Sequence, residues 1–156
     1  MPATPIPDGY HTATPYLIAK DAARAIDFYK RVFGAEELLR LASPDGKVCH
    51  AEIKIGNSVI MLADEYPEMR YLSPQSLGGT PVSILLYFKD VDARFNAAVG
   101  AGAKVLKPLQ DQFYGDRSGT VTDPFGHVWT VATHKEDLAP EEVERRFAEF
   151  MKQQKK

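Results

Sequence analysis

His50 and Glu52 stand two residues apart in the run "VCHAEIKIG", whose alternation is that of a β-strand, so both side chains point to one face. An imidazole beside a carboxylate can serve as general base and general acid on a carbonyl substrate, or hold a small ligand by hydrogen bonds. It can also supply two ligands of a metal ion, which still lacks a third. The same pair serves equally as a partly exposed strand histidine with a cross-strand ion-pair partner. A second group lies in the segment "LKPLQDQFYGDR", read as a long loop, where Tyr114 and Arg117 accompany Gln112 and Asp116. Binding groups collect on loops held by a rigid sheet. Arg117 could take a carboxylate or phosphate in a two-point hydrogen bond, or form a structural ion pair with Asp116 or Asp123.

The stretch "YGDRSGTVTDPFGHVWTVATHK" reads as strand, turn and strand. Asp123 and Gly126 are turn residues, the first bonding its side chain to backbone and the second supplying positive φ. Trp129 alternates opposite to Thr130, which places it under a helix. His127 is expected to face solvent, and His11 shares no strand face with Thr14. Cys49 alternates against His50 and is expected in the core, with no sequence neighbour beyond His50 that would activate a thiolate. No Gly-rich phosphate loop, nucleophile elbow or paired-cysteine motif occurs.

The elements that must position these groups come from a repeat. "TPYLIAKDAARAIDFYKRVFGAEEL" and "VSILLYFKDVDARFNAAVGAGAKVL" share one plan: an apolar strand ending in Lys-Asp, an amphipathic helix, then Gly-Ala. Asp21 and Asp90 are where helix N-caps belong, and Gly34 and Gly102 are where the chain leaves with positive φ. Ala22, Ala25, Ile26, Tyr29 and Phe33 recur at steps of three and four and form a stripe that packs on a sheet. Three strands follow each helix: "EELLRLA", "VCHAEIKIG" and "SVIMLAD" in the first copy, "AKVLKPL", "SGTVTD" and "HVWTVAT" in the second. The repeat makes His50 and Glu52 the counterparts of Thr120 and Thr122. "APEEVERRFAEFMKQQKK" closes the chain as a helix with Val143, Phe147, Phe150 and Met151 on one side.

The chain has 156 residues, 19 basic against 21 acidic, and a formal net charge of -2. That size suits one domain of ordinary dimensions, and the charge offers no basic field for nucleic acid or a membrane surface. One cysteine cannot make an internal disulfide, and no apolar run approaches the about 20 residues needed to span a bilayer. The prolines of "MPATPIPDGYHTATP" stand where a signal peptide needs a basic and then an apolar region, so a cytoplasmic protein is expected.

A duplicated βαβββ module with "DFYKRVFGAEEL" in the first copy and "DPFGHVW" in the second resembles the vicinal oxygen chelate superfamily, which includes glyoxalase I, extradiol dioxygenases and bleomycin-resistance proteins. Within it, the PhnB-like glyoxalase subgroup is the nearer likeness. The resemblance runs from about residue 12 to about residue 133. It implies an α+β fold in which two tandem βαβββ modules form a curved mixed sheet around a cleft, with a C-terminal helix added. It also implies metal ligands on the first and last strand of each module. Carried over, those positions are Thr14, Ser83, Thr130 and either Ile60 or Met61, none a histidine or carboxylate. Hydroxyls and a thioether do not hold a catalytic divalent ion against water, so neither the inherited metal nor any other cofactor is expected.

The resulting expectation is an N-terminal arm over 1–11, modules over 12–66 and 81–134, a linker over 67–80 and a terminal helical segment over 135–156. The cleft binds a small, partly aromatic or amphipathic molecule through Thr14, Tyr16, His50, Glu52, Ser83, Tyr114, Arg117 and Thr130, with Tyr16, Tyr87 and Tyr114 supplying flat contact. The alternative is a lyase- or isomerase-type enzyme on a small carbonyl compound, with His50 and Glu52 as acid and base or as unusual metal ligands. Whether the chain is catalytic stays open. A homodimer is expected, because the terminal helix and the sheet edges leave apolar surface to cover.

Overall fold

The Asp21 and Asp90 carboxylates each accept a backbone N–H from the first turn of a helix, Arg24 N at 3.2 Å and Ala93 N at 3.1 Å, so the repeated Lys-Asp does start both helices. The computed structural model describes residues 2–155. The first copy runs β1 (Tyr16–Ala19), α1 (Ala22–Phe33), β2 (Glu36–Ala42), β3 (Val48–Ile55) and β4 (Ser58–Asp64). The connecting segment carries a 3-10 turn, Pro67–Met69, and the one-turn helix α2 (Pro74–Leu77). The second copy repeats the order as β5 (Ser83–Tyr87), α3 (Val91–Gly100), β6 (Lys104–Asp111), β7 (Asp116–Thr122) and β8 (Val128–His134). The helix α4 (Pro140–Gln154) follows.

Two four-stranded mixed sheets result, in the orders β1-β4-β3-β2 and β5-β8-β7-β6. In each, the first strand pairs parallel with the last and the remaining pairs are antiparallel. The chain divides into two compact units: residues through Pro81 together with Pro124–His127, and Val82–Asp123 together with the chain from Val128 onward. Among the described residues no helix is long and apolar enough to cross a membrane.

In the first unit Ala22, Ala25, Ile26, Tyr29 and Phe33 are all buried, as their spacing requires, against Ala51, Ile53, Ile60 and Leu62 of β3 and β4. Each large aliphatic or aromatic side chain so buried contributes about 1.5–3 kcal/mol. Gly34 leaves the helix with φ 69°. The entry to α1 is held twice, because buried Asp64 at the end of β4 accepts Ala22 N at 2.8 Å and Val48 N at 2.7 Å. In the second unit a hydroxyl holds the helix entry instead. Thr133 Oγ1 accepts Val91 N at 3.1 Å and donates to the Phe88 carbonyl at 2.7 Å. There α3 lays Val91, Phe95 and Ala98 on the sheet, and a Cβ at Gly119 would sit 2.5 Å from the Phe95 ring, so glycine is required for the close approach. Trp129 is fully buried and its indole N–H donates to the Asp123 carboxylate at 2.8 Å.

Three sequence expectations are corrected here. The "LKPLQDQFYGDR" segment is not a long loop: β6 continues to Asp111 and β7 begins at Asp116, leaving 112–115 as the turn. Pro108 is accommodated because β6 is an edge strand and its pairing register shifts between Lys107 and Gln110. Cys49 is exposed, its Sγ lying 3.1 Å from the Tyr66 hydroxyl, because it stands at the end of β3 where the register breaks between Leu41 and Ala42. His127 is half-buried, with Nε2 2.9 Å from the Ile18 carbonyl oxygen.

Candidate functional site

Register decides which side chains share a face. In the first unit Met61 pairs with Tyr16 on one side and with Glu52 on the other, so the three form a row across β1, β4 and β3. Leu39 and Leu41 lie opposite Glu52 and His50 on the same face, while Ala51 and Ile53 point to α1. This also decides between Ile60 and Met61: Ile60 is buried toward the helix, and Met61 is half-buried on the open face.

On that open face four polar groups form a chain. The Tyr16 hydroxyl lies 2.9 Å from His50 Nδ1, and His50 Nε2 lies 2.8 Å from Glu52 Oε2. The second carboxylate oxygen, Oε1, accepts the Tyr10 hydroxyl. A carboxylate oxygen only accepts, so Nε2 carries a hydrogen, and the neutral tautomer that meets this leaves Nδ1 to accept from the phenol. Burial, with Tyr71 adding to it, raises the Tyr16 phenol above its ordinary 10.0, so Tyr16 keeps the proton that it donates. The Tyr16 ring is tilted over the imidazole at 5.6 Å and lies 6.4 Å from Tyr71.

Glu52 and Met61 reach into a concavity of about 570 Å³ whose other walls are Thr14 and the N-terminal arm: Pro5, Ile6, Pro7, Tyr10, His11 and Thr12. That volume lies in the range that takes a drug-sized molecule. Thr14, Tyr16, His50 and Glu52 are thus brought together within the first unit.

The other four expected residues belong to the second unit. Ser83 is exposed at the start of β5, and Thr130 Oγ1 is 2.8 Å from Thr120 Oγ1 on the open face of the second sheet. Tyr114, in the turn before β7, stands edge-on to Phe113 with ring centres 5.2 Å apart. Arg117 lies in β7 on the helix-covered face, not in a loop. Its Nε is 2.8 Å from Asp92 of α3 and its Nη1 3.3 Å from Asp111, so the ion pair is made with these rather than with Asp116 or Asp123.

Two groups escaped the sequence reading. Tyr10 sits in an arm without periodicity, and no sequence signal ties it to Glu52. In the second unit buried Asp116 receives the Tyr87 hydroxyl at 2.9 Å and His134 Nδ1 at 2.7 Å, while His134 Nε2 lies 2.8 Å from Asp137. These bonds to Asp116 and Asp137 raise the His134 pKa, and the bond to Asp116 raises the Tyr87 phenol. A concavity of about 430 Å³ beside them is lined by Asp111, Gln112, Asp116, Lys135, Glu136 and Arg146. Alternation on β8 placed His134 with Thr130, and that was the available signal.

The metal positions that the resemblance implies hold a hydroxyl and a thioether in the first unit, Thr14 and Met61, and two hydroxyls in the second, Ser83 and Thr130. These donors do not fit a catalytic divalent ion. His50 and Glu52 are bonded to each other, and among the described residues no three His, Cys, Asp or Glu side chains form a group that could hold an ion.

Comparison with known proteins bears on the fold and its family. The model of the Glyoxalase/Bleomycin resistance protein/Dioxygenase superfamily matches residues 10–131. The chain is similar to the uncharacterized protein Mb0911c of Mycobacterium bovis, 46% identical over 134 residues that cover 84% of this chain and 88% of that protein. Among solved structures it is similar to TioX from Micromonospora sp. ML1, with TM-score 0.63 and 29% identity over 83% of this chain and 100% of that one. The PhnB protein from Bacillus cereus shares the fold, with TM-score 0.64 and 19% identity over 79% and 99% of the two chains.

Proposed function

Since the chain belongs to the glyoxalase/bleomycin resistance protein/dioxygenase superfamily, we propose that it binds a small, partly aromatic or amphipathic molecule in the concavity of its first unit, without the metal of the superfamily's enzymes. The observation that carries this reading is the Tyr16–His50–Glu52–Tyr10 chain at the edge of a space walled by Pro5, Ile6, Pro7 and Met61. A few placed polar groups against apolar walls are what a small-molecule site consists of. The family alone does not supply the activity, because one fold hosts many. Thr14 and Tyr16 complete the polar side. Ser83, Thr130, Tyr114 and Arg117 belong to the second unit, where Arg117 is paired with Asp92 and Asp111. One free cysteine suits a reducing cytoplasm.

The test is ligand-induced stabilisation, since a molecule that binds only the folded chain raises its unfolding midpoint. Flat amphipathic compounds are expected to raise it with saturation, and added divalent ions are not. Metal analysis of the purified protein should give well below one equivalent. A near-stoichiometric metal that survives mild chelation would defeat the metal-free reading.

The 2.8 Å contact between His50 and Glu52 supports a second reading, acid–base catalysis on a small carbonyl compound. That reading requires enzyme-dependent deuterium uptake beside the carbonyl of a small ketone, lost in His50→Gln. Binding without such exchange favours the first.

The chain is further proposed to act as a homodimer. Phe113 covers part of the apolar side of α4, with ring centres 5.7 Å from Phe147 and 5.2 Å from Phe150, yet Phe147 stays 49% and Met151 42% exposed. Light scattering over a dilution series tests it, and a monomer mass at micromolar concentration would refute it.

A further inference from the structure

We propose that the concavity of the first unit selects ligands bearing a positive charge beside a flat apolar body and rejects their anionic counterparts. This rests on the reading of that concavity as a ligand site, and names the class of ligand it takes.

Glu52 is the one carboxylate among the described residues that line the space, and no lysine or arginine lines it. Its side chain is 17% exposed, so it is partly withdrawn from water yet reachable. Among the described residues each oxygen has one partner, Tyr10 on Oε1 and His50 on Oε2. A carboxylate offers roughly four acceptor positions, two per oxygen. One position on each oxygen therefore remains for a donor carried by the ligand.

Neither existing partner is a guanidinium or an ammonium. His50 already gives its Nε2 hydrogen to Glu52 and has the Tyr16 hydroxyl on Nδ1. The cation nearest along the strand, Lys54, is two residues on and on the same face, roughly 7 Å of strand away, opposite Val59 near the hairpin end and outside the lining. Tyr10 and His11 are the other titratable side chains among the lining residues. An ammonium close to Glu52 gains Coulomb energy that the reduced dielectric of a half-buried site enlarges, and a carboxylate or phosphonate there loses a comparable amount. The Tyr10 ring can face a cation, and Met61 adapts to a flat hydrophobic surface.

Three naphthalene probes of matched shape test the proposal: 2-naphthylmethylammonium, 2-naphthalenemethanol and 2-naphthoate, titrated calorimetrically into the full chain at pH 7. The expected order is cation, then alcohol, then anion, with about tenfold or more between the first and last. Glu52→Gln should collapse that spread, and Lys54→Gln should leave it unchanged. If Glu52→Gln does not fold, salt decides with the wild type: the cation's advantage must shrink as ionic strength rises. Naphthoate binding as tightly as the amine would overturn the charge proposal while leaving the ligand site standing. Failure of all three to bind at millimolar concentration would overturn both.

Discussion

The Tyr16 hydroxyl meets His50 Nδ1 at 2.9 Å although their strands are not neighbours: β4 lies between β1 and β3, and the phenol reaches across it above Met61. A contact of this length over an intervening strand fixes the imidazole from one side while Glu52 fixes it from the other. The two contacts together favour the tautomer with its hydrogen on Nε2.

His50 and Arg117 should separate cleanly on mutation. His50→Ala removes the centre of the polar chain and is expected to weaken binding of an aromatic probe by about tenfold, the worth of one well-made hydrogen bond. Its effect on stability should stay within about 1 kcal/mol, since the side chain is 24% exposed. Arg117→Ala should leave binding unchanged and cost at most about 1 kcal/mol, because its partners Asp92 and Asp111 are exposed. Calorimetric titration and urea unfolding of both variants provide the check. Equal loss of binding would place Arg117 in the site.

Asp64→Ala should be the costly substitution. Its buried carboxylate satisfies Ala22 N and Val48 N together, and removal leaves two buried donors without partners, about 2–4 kcal/mol in all. Asp64→Asn, which keeps one acceptor, should fall between. A loss below about 1 kcal/mol would mean that water takes over both donors.

His134 gives a pH dependence of definite sign. Hydrogen bonds to Asp116 and then Asp137 raise its pKa in the folded chain above the ordinary 6.5. Its protonated form is thus favoured by folding, and the stabilisation is fully present below 6.5. It is lost as pH rises through the elevated folded value. The urea midpoint of wild type relative to His134→Gln should therefore narrow from pH 6 to pH 9. A gap that widens with pH would contradict the assignment.

The repeat, both helix caps and the buried stripe of α1 were legible because each rests on local spacing: Asp21 and Asp90 at the starts, Gly34 with φ 69° at one end. The shared face of His50 and Glu52 was legible too, although the repeat alignment was off by two. Register pairs Glu52 with Met61 and Thr120 with Thr130, which makes Thr120 the counterpart of Glu52 and Ser118 that of His50. A slip of two preserves the face, so the conclusion about the face survived the slip. Arg117 was misplaced because Pro108 and Gly115 read as loop signals, whereas an edge strand with a register irregularity absorbs the proline. Tyr10 was illegible because an arm of prolines and threonines has no period from which a direction could be taken.

The most direct measurement is an NMR titration of the full chain with 2-naphthylmethylammonium, following the Met61 methyl group and the backbone amides. Saturating shifts at Met61, Tyr10, Thr14 and Glu52, the residues that wall the concavity, are the predicted result. Shifts confined to the residues around Asp116 and Arg146, or none at any concentration, would contradict it.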